Sequence, residues 1–249
     1  MPNTYDIAGR NAVVTGASKG IGHATAALLA SNGANVVVQG RDQQVCDELA
    51  SELDGTVGIA AELGDEQDRV AFCEKISAHF DGRLDILIHN AGFFPQSTME
   101  KQPLDEWQQV QSVNTESNFH ITKLLLPDLK ASGDASVILV SSVVTKLGRG
   151  DSPAYVASKS GQIGLARHMA AELGEVGIRV NAVLPGLVDT EGTRAENTDA
   201  TYESFANDLQ MVPLKIQPDD LAHTIVFLST PAARAITGAC VDVNGGLRV

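Results

Sequence analysis

Residues 11–22 read Asn-Ala-Val-Val-Thr-Gly-Ala-Ser-Lys-Gly-Ile-Gly. The apolar, β-branched run Asn11–Thr15 predicts a strand. Gly20–Ser31 then sets Ile21, Ala24, Leu28 and Leu29 on one helical face. Between them, Gly16, Gly20 and Gly22 stand in the spacing Gly-x-x-x-Gly-x-Gly. Glycines there let the chain turn sharply and come close to another group. The helix that follows opens with N–H groups that attract an anion such as a pyrophosphate. In a strand–turn–helix context this predicts a dinucleotide cradle.

Outward from this unit the alternation repeats. Asn35–Gln39, Val57–Ala61, Asp85–His89, Ser136–Ser141, Ile178–Val183 and Ala239–Val243 read as further strands. Gln43–Leu53, Asp65–His79, Leu104–Lys130, Pro153–Val176 and Asp219–Ser229 read as helices. The strands are apolar runs rather than alternating ones, as expected of a parallel sheet covered on both faces. The fold class is therefore α/β, a Rossmann-like doubly wound parallel sheet of about seven strands with helices on both faces. No repeat or linker divides the chain, so residues 1–249 read as one domain. One long polar stretch, Gly186–Gln217, interrupts the pattern and reads as a substrate-binding loop or lid.

Composition narrows the function. The net charge of −13 disfavours nucleic acid and anionic membrane surfaces. No apolar stretch approaches the ~20 residues of a membrane span, and Met1–Arg10 lacks the pattern of a signal peptide. A cytoplasmic location is expected. Cys46, Cys73 and Cys240 are too widely spaced for a zinc or redox motif, and the six histidines are scattered, so no metal is expected.

Further motifs follow in order: His89-Asn90-Ala91-Gly92 after the fourth strand, Asn114, Ser142, and Tyr155-Val-Ala-Ser-Lys159. Together with the glycine stretch they resemble the short-chain dehydrogenase/reductase family over nearly the whole chain, to Pro185-Gly186 and the C-terminal Gly238…Gly245-Gly246. The resemblance implies a hydride transfer between a nicotinamide cofactor and a ketone or secondary alcohol. It also implies a catalytic tetrad of Asn114, Ser142, Tyr155 and Lys159, and a homo-oligomer, commonly a tetramer. The implied cofactor site comprises Gly16, Ser18, Lys19, Gly20, Ile21, Gly22, Arg41, Asn90, Ala91, Gly92, Tyr155, Lys159, Pro185, Gly186, Val188 and Thr190. An Asp usually follows strand three to meet the adenine; here Glu62 takes that position, with Leu63 next. His89 stands where Asn is common and reads as a structural substitution.

The second strand bears on the cofactor. An NAD site usually ends this strand with a carboxylate for the ribose hydroxyls, and Gly40 cannot serve. Arg41 follows, with Lys19 in the glycine loop, and two cations suit a 2′-phosphate. NADP(H) is expected over NAD(H). Asp42 is a competing ribose ligand, although its position also suits a helix N-cap.

Tyr155 and Lys159 lie one helical turn apart on one face. A free phenol titrates near 10, too high for proton transfer at neutrality. A cation about 4 Å away, at an effective dielectric near 20, is worth about 4 kcal/mol, or about three pK units. Ser142, rather than Ser141, fits the family spacing for a group that meets the substrate oxygen. The resemblance gives Asn114 a role, through its backbone and water, in linking Lys159 to solvent; in mid-helix it otherwise reads as a packing or kink residue. The expected substrate wall is Phe93, Phe94, Val143, Val144, Leu147, Leu187, Tyr202 and Phe205; Arg149 and Arg194 could meet an acidic substrate group but read first as solvated arginines. The alternative is a catalytically silent NADP(H)-binding regulator of the same fold.

Overall fold

The computed structural model describes residues 5–147 and 152–248. Seven strands form one sheet in the order β3-β2-β1-β4-β5-β6-β7. They are β1 (Asn11–Val14), β2 (Asn35–Gly40), β3 (Thr56–Ala60), β4 (Ile86–His89), β5 (Ala135–Val140), β6 (Ile178–Pro185) and β7 (Cys240–Val243). Every pairing is parallel. The chain winds outward from β1 to β3, then crosses back to lay β4 beside β1. That reversal sets the carboxyl ends of β1 and β4 side by side, the place in an open α/β sheet where a ligand crevice is expected.

Helices cover both faces. Val13, Val37, Leu87 and Val180 pack with Phe72 and Ile76 of α3 (Glu66–His79) and with Ala166 and Met169 of α7 (Pro153–Leu173). Ala12, Val14, Val36 and Val183 point the other way, toward Leu29 of α1 (Gly20–Ser31), Leu49 of α2 (Gln43–Glu52) and Ile225 of α10 (Pro218–Ser229). Every residue of β5 and β6 is buried. That two-sided burial is why these strands read as apolar runs.

Two stretches differ from the sequence-based expectation. Leu104–Lys130 is not one helix. It comprises α4 (Leu104–Gln111), a π turn over Ser112–Glu116, α5 (Ser117–Leu124) and α6 (Leu126–Ser132). The break falls at Leu125, where φ is −89° and ψ is 7°; Pro127 in the next turn has no N–H for a continuous ladder. The stretch 186–217 is more ordered than its composition suggests. It holds α8 (Glu191–Arg194) and α9 (Asp199–Ser204), each with a threonine capping box, Thr190 with Thr193 and Thr198 with Thr201. A second π turn follows over Phe205–Leu209.

One polar side chain in β6 joins strand to helix. Arg179 is buried and donates to the carbonyls of Leu228, Thr230 and Ala233 at 2.8–3.3 Å. Ser136 Oγ, Ala233 N and Ile236 N also donate to the Leu228, Thr230 and Ala233 carbonyls in turn, and the guanidinium adds a charged donor to each at the C-terminal end of α10. Replacing Arg179 by Leu removes these charge-assisted bonds, and about 2 kcal/mol of stability should be lost. A clear fall in Tm on thermal melting, with the secondary structure seen by circular dichroism retained at low temperature, is the expected result.

Candidate active site

The glycine loop lies flat against the loop after β4. Thr15 Oγ1 accepts from the backbone N–H of Asn90 at 3.0 Å and of Ala91 at 3.1 Å. Asn90 Nδ2 in turn donates to the carbonyls of Thr15 at 3.0 Å and Gly16 at 2.9 Å. A Cβ on Gly16 would stand 2.7 Å from Ala91 Cα, and Gly16 has a φ of +62°. A Cβ on Gly22 would stand 2.4 Å from both Asn90 Nδ2 and the Gly16 carbonyl. Only glycine fits either position. Gln39 at the end of β2 fixes the loop from the other side. Its Oε1 accepts from Gly16 N at 2.9 Å, while its Nε2 donates to the carbonyls of Gly40 and Ala61.

All the site residues expected from the sequence line one cavity of about 360 Å3, except Gly22 and Asn114. Those two are buried behind it. The N-terminus of α1 opens on this cavity through Gly20 and Ile21. Its N-cap, Lys19, makes no side-chain capping bond, and the first turn carries no acidic residue. The orphan N–H groups and the dipole thus suit a phosphate.

Ser18, Lys19, Gly40 and Arg41 share one part of the wall. Asp42 is committed elsewhere: its carboxylate accepts from Gln44 N at 2.8 Å and Val45 N at 3.3 Å as the cap of α2. That is the N-cap reading of Asp42, which leaves no carboxylate at the end of β2. Glu62 turns its Oε1 to Gly64 N at 3.1 Å, beside the buried Leu63.

On another part of the wall stand Ser142, Tyr155 and Lys159. Ser152 caps α7 by accepting from Tyr155 N at 3.2 Å, and Pro153 fills its first turn. Lys159 Nζ donates to the Val140 carbonyl at 2.8 Å. Ser141 Oγ donates back to the Lys159 carbonyl at 2.8 Å. Ser141 is therefore engaged in docking α7 on β5, while both it and Ser142 line the cavity. Ser142 Oγ accepts from Val144 N at 3.3 Å, which leaves its proton free to donate. Asn114, in the π turn, clamps the loop after β4. Its Oδ1 accepts from Phe93 N at 2.7 Å, and its Nδ2 donates to the Phe93 carbonyl and to Ser158 Oγ, each at 2.9 Å.

The electrostatics correct one expectation. Lys159 Nζ is 5.6 Å from the centre of the Tyr155 ring, and burial pulls its pKa from 10.5 down to about 7. Without cofactor it is not a fixed cation at neutral pH; it is a group that exchanges its proton there. His89 is buried with Nε2 2.8 Å from Thr122 Oγ1, and desolvation lowers its pKa to about 3. It is neutral and structural.

The expected substrate wall is partly corrected too. Phe93 and Phe94 line the cavity, and Phe94 meets Tyr155 edge-on at 6.2 Å. Val143, Val144, Leu147, Leu187, Tyr202 and Phe205 do not line it. Tyr202 is buried, with its hydroxyl donating to Thr193 Oγ1 at 2.7 Å and Lys215 Nζ 4.8 Å above its ring. Arg194 pairs with Asp189 at 2.5 Å and Asp199 at 3.6 Å, so it is held within the 186–217 stretch. Arg149 lies outside the described residues. Gln109, Val113, Gly192 and Thr193 also line the wall and were not expected. They come from helix and loop positions whose sequence pattern carries no chemical signature.

The family described as Enoyl-(Acyl carrier protein) reductase matches residues 16–248. The 3-oxoacyl-[acyl-carrier-protein] reductase FabG of Vibrio cholerae is 32% identical over 244 residues, covering 97% of this chain and 98% of that protein. FabG of Escherichia coli K12 is 33% identical over 242 residues, covering 96% and 97%. A solved short chain dehydrogenase/reductase family protein superposes with a TM-score of 0.87 at 30% identity, covering 97% of this chain and 98% of its own. This chain belongs to the short-chain dehydrogenase/reductase family. Within that family the Pseudomonas aeruginosa RhlG/NADP active-site complex superposes with a TM-score of 0.91 at 31% identity, covering 99% of both chains. The chain is thus an oxidoreductase of this family. No helix among the described residues is long and apolar enough to cross a membrane.

His89 makes a pH test of the packing here. Its folded pKa of about 3 lies below the ordinary 6.5. The stability tied to its neutral form is complete above about 6.5 and is lost progressively as pH falls toward 3. Thermal melts at pH 7 and pH 5 should show a larger drop in Tm for the wild type than for His89→Gln.

Proposed function

We propose that the chain is an NADP(H)-dependent reductase that interconverts a ketone and a secondary alcohol, with Tyr155 as the proton-transfer group. The reading rests on one observation: Ser142, Tyr155 and Lys159 share a single cavity wall with the glycine cradle and with Lys19 and Arg41. The names of relatives support the same chemistry, since 3-oxoacyl reduction removes a ketone and the RhlG structure is an NADP complex.

Bound NADPH would supply the hydride, giving ketone + NADPH + H⁺ → secondary alcohol + NADP⁺. The N–H groups at the start of α1 would hold the pyrophosphate, and Lys19 and Arg41 the 2′-phosphate. Glu62 and Leu63 would border the adenine. Asn90, Ala91 and Gly92 would flank the ribose and nicotinamide side, with Pro185, Gly186, Val188 and Thr190 opposite. Ser142 donates a hydrogen bond to the carbonyl oxygen and steadies its developing charge. Tyr155 gives that oxygen its proton. Lys159, with its pKa near 7, passes a proton toward Tyr155 at neutral pH. The Asn114 carbonyl accepts from Gln162 Nε2 at 2.6 Å and has a second lone pair for a water that continues the relay. Residues 1–249 act as one catalytic domain, with 186–217 as its lid. Exposed Phe119 on α5 and Phe227 on α10 offer apolar surface for a homo-oligomer, a tetramer in our reading.

Tyr155→Phe should lower kcat by about 10²- to 10⁴-fold, with NADPH binding, read by nicotinamide fluorescence, unchanged. Full turnover in this variant, across a panel of ketones that the wild type reduces, would remove Tyr155 from the chemistry. Wild-type binding of NADPH with no turnover on any carbonyl would instead favour a silent regulator. For the cofactor, Arg41→Ala should lose about 2 kcal/mol of phosphate binding, a roughly 30-fold rise in KM for NADPH. KM for NADH should stay within about threefold, checked by steady-state kinetics with each cofactor.

A further inference from the structure

Arg69 of α3 is among the largest side chains that the fold buries completely. A buried guanidinium is costly unless its donors are met, and this one is met on two sides. Toward the loop after β3, Nη1 donates to the Leu63 carbonyl at 2.8 Å. Toward the π turn, Nη1 also reaches Ser112 Oγ at 3.3 Å, and Nη2 donates to Glu116 Oε1 at 2.7 Å. Nε donates to His120 Nδ1 on α5 at 3.2 Å. Ser112 closes the circuit, its hydroxyl donating to the Gly64 carbonyl at 2.9 Å.

The two segments so joined do different work in the cavity. Glu62 and Leu63 border its adenosine end. Ser112–Glu116 is the π turn that carries Asn114, whose side chain sets the main chain of Phe93. π turns inside helices occur often at functional sites because the extra residue re-aims its neighbours. On its α7 side the turn is tied by Asn114 and Thr115 to Ser158 and by Gln162 to the Asn114 carbonyl; on the side of the loop after β3 it is tied by Arg69 and Ser112. Packing agrees: a Cβ on Gly64 would lie 3.4 Å from Val113 Cγ2, so the space between the loop and the turn takes no more than a methyl group.

We infer that Arg69 is a positioning residue that couples the adenosine end of the cofactor site to the Asn114 turn at the reactive end. The inference rests on the proposed placement of NADP(H) in this cavity. One arm of the guanidinium orders the loop that borders the adenine. The other holds the turn that sets Asn114, and through it Phe93 and the relay beside Lys159. Cofactor affinity and turnover therefore share this one side chain.

The test uses the full-length protein with 2′,5′-ADP as a probe of the adenosine end and kcat at saturating NADPH as a probe of the reactive end. Arg69→Met should weaken 2′,5′-ADP binding at least tenfold by calorimetry and lower kcat at least tenfold. Glu116→Ala, which removes the turn-side acceptor and leaves the bonds to the Leu63 and Gly64 carbonyls in place, should lower kcat at least fivefold while 2′,5′-ADP binding stays within twofold. Arg69→Lys, which keeps a donor at the same depth, should restore part of both, and it carries the test if Arg69→Met does not fold. A merely structural role would reduce activity only in proportion to the fraction folded, with the 2′,5′-ADP affinity and the KM for NADPH unmoved; that outcome overturns the inference. So would folded Arg69 variants with both readouts within twofold of wild type. Failure of the wild type itself to bind 2′,5′-ADP or NADPH would remove the cofactor reading and this inference together. Binding by the wild type, with unchanged readouts in the variants, would remove the role of Arg69 alone.

Discussion

The contact between the glycine loop and Asn90-Ala91 is the constraint on which the rest of the site depends. β1 and β4 are neighbours only because the chain reverses its winding between β3 and β4. At their carboxyl ends Thr15-Gly16 and Asn90-Ala91 are joined by four hydrogen bonds. Those bonds bring Gly16 so near Ala91 that any side chain would collide with backbone. The start of α1 is thereby aimed across the crevice, and the loop that continues to Phe93 begins from a fixed point. The start of α1 and the Ser142, Tyr155 and Lys159 side chains come to face one cavity because a single strand boundary orients both.

Polar side chains extend that constraint in two directions. Gln39 carries it to the ends of β2 and β3, bonding Gly16, Gly40 and Ala61 at once. Asn114 carries it to α7, bonding Phe93 on one side and Ser158 on the other. Both are buried and their bonds run between segments distant in sequence. Such a network is rigid when every member is satisfied, since a lost partner leaves a desolvated polar group. It therefore fixes positions at the crevice more closely than apolar packing alone would.

Much of this is legible in the residues. The seven strands and the glycine cradle follow from local runs and spacings, which burial on both faces makes visible. The capping of α7 by Ser152 and Pro153 and that of α2 by Asp42 follow from local backbone chemistry. What stays hidden depends on distance along the chain. Arg69 meets Ser112, Glu116 and His120 across 43 to 51 residues, and in sequence it is one charged residue on a polar helix. The π turn is hidden because it keeps the composition of a helix and shows only in how the ladder closes. Tyr202 misleads because an aromatic in a polar loop suggests a ligand wall, whereas it holds Thr193 and Lys215 together. The stretch around it is ordered by paired threonine caps and ion pairs rather than by an apolar stripe.

The neighbouring serines 141 and 142 show how the sheet divides labour at the reactive end. Both follow β5 and both line the cavity, but they make different bonds. Ser141 spends its proton on the Lys159 carbonyl, while Lys159 returns its own bond to Val140. This reciprocal pair pins α7 to β5 at the one residue whose amine must be buried. Burial in turn is what brings that amine to a pKa of about 7. Ser142, one residue on, is left on the cavity wall with its proton unspent. The same two bonds thus fix the depth of Lys159, and that depth, by desolvating the amine, sets its proton affinity, so a change at Ser141 reaches the cavity through Lys159 as well as directly.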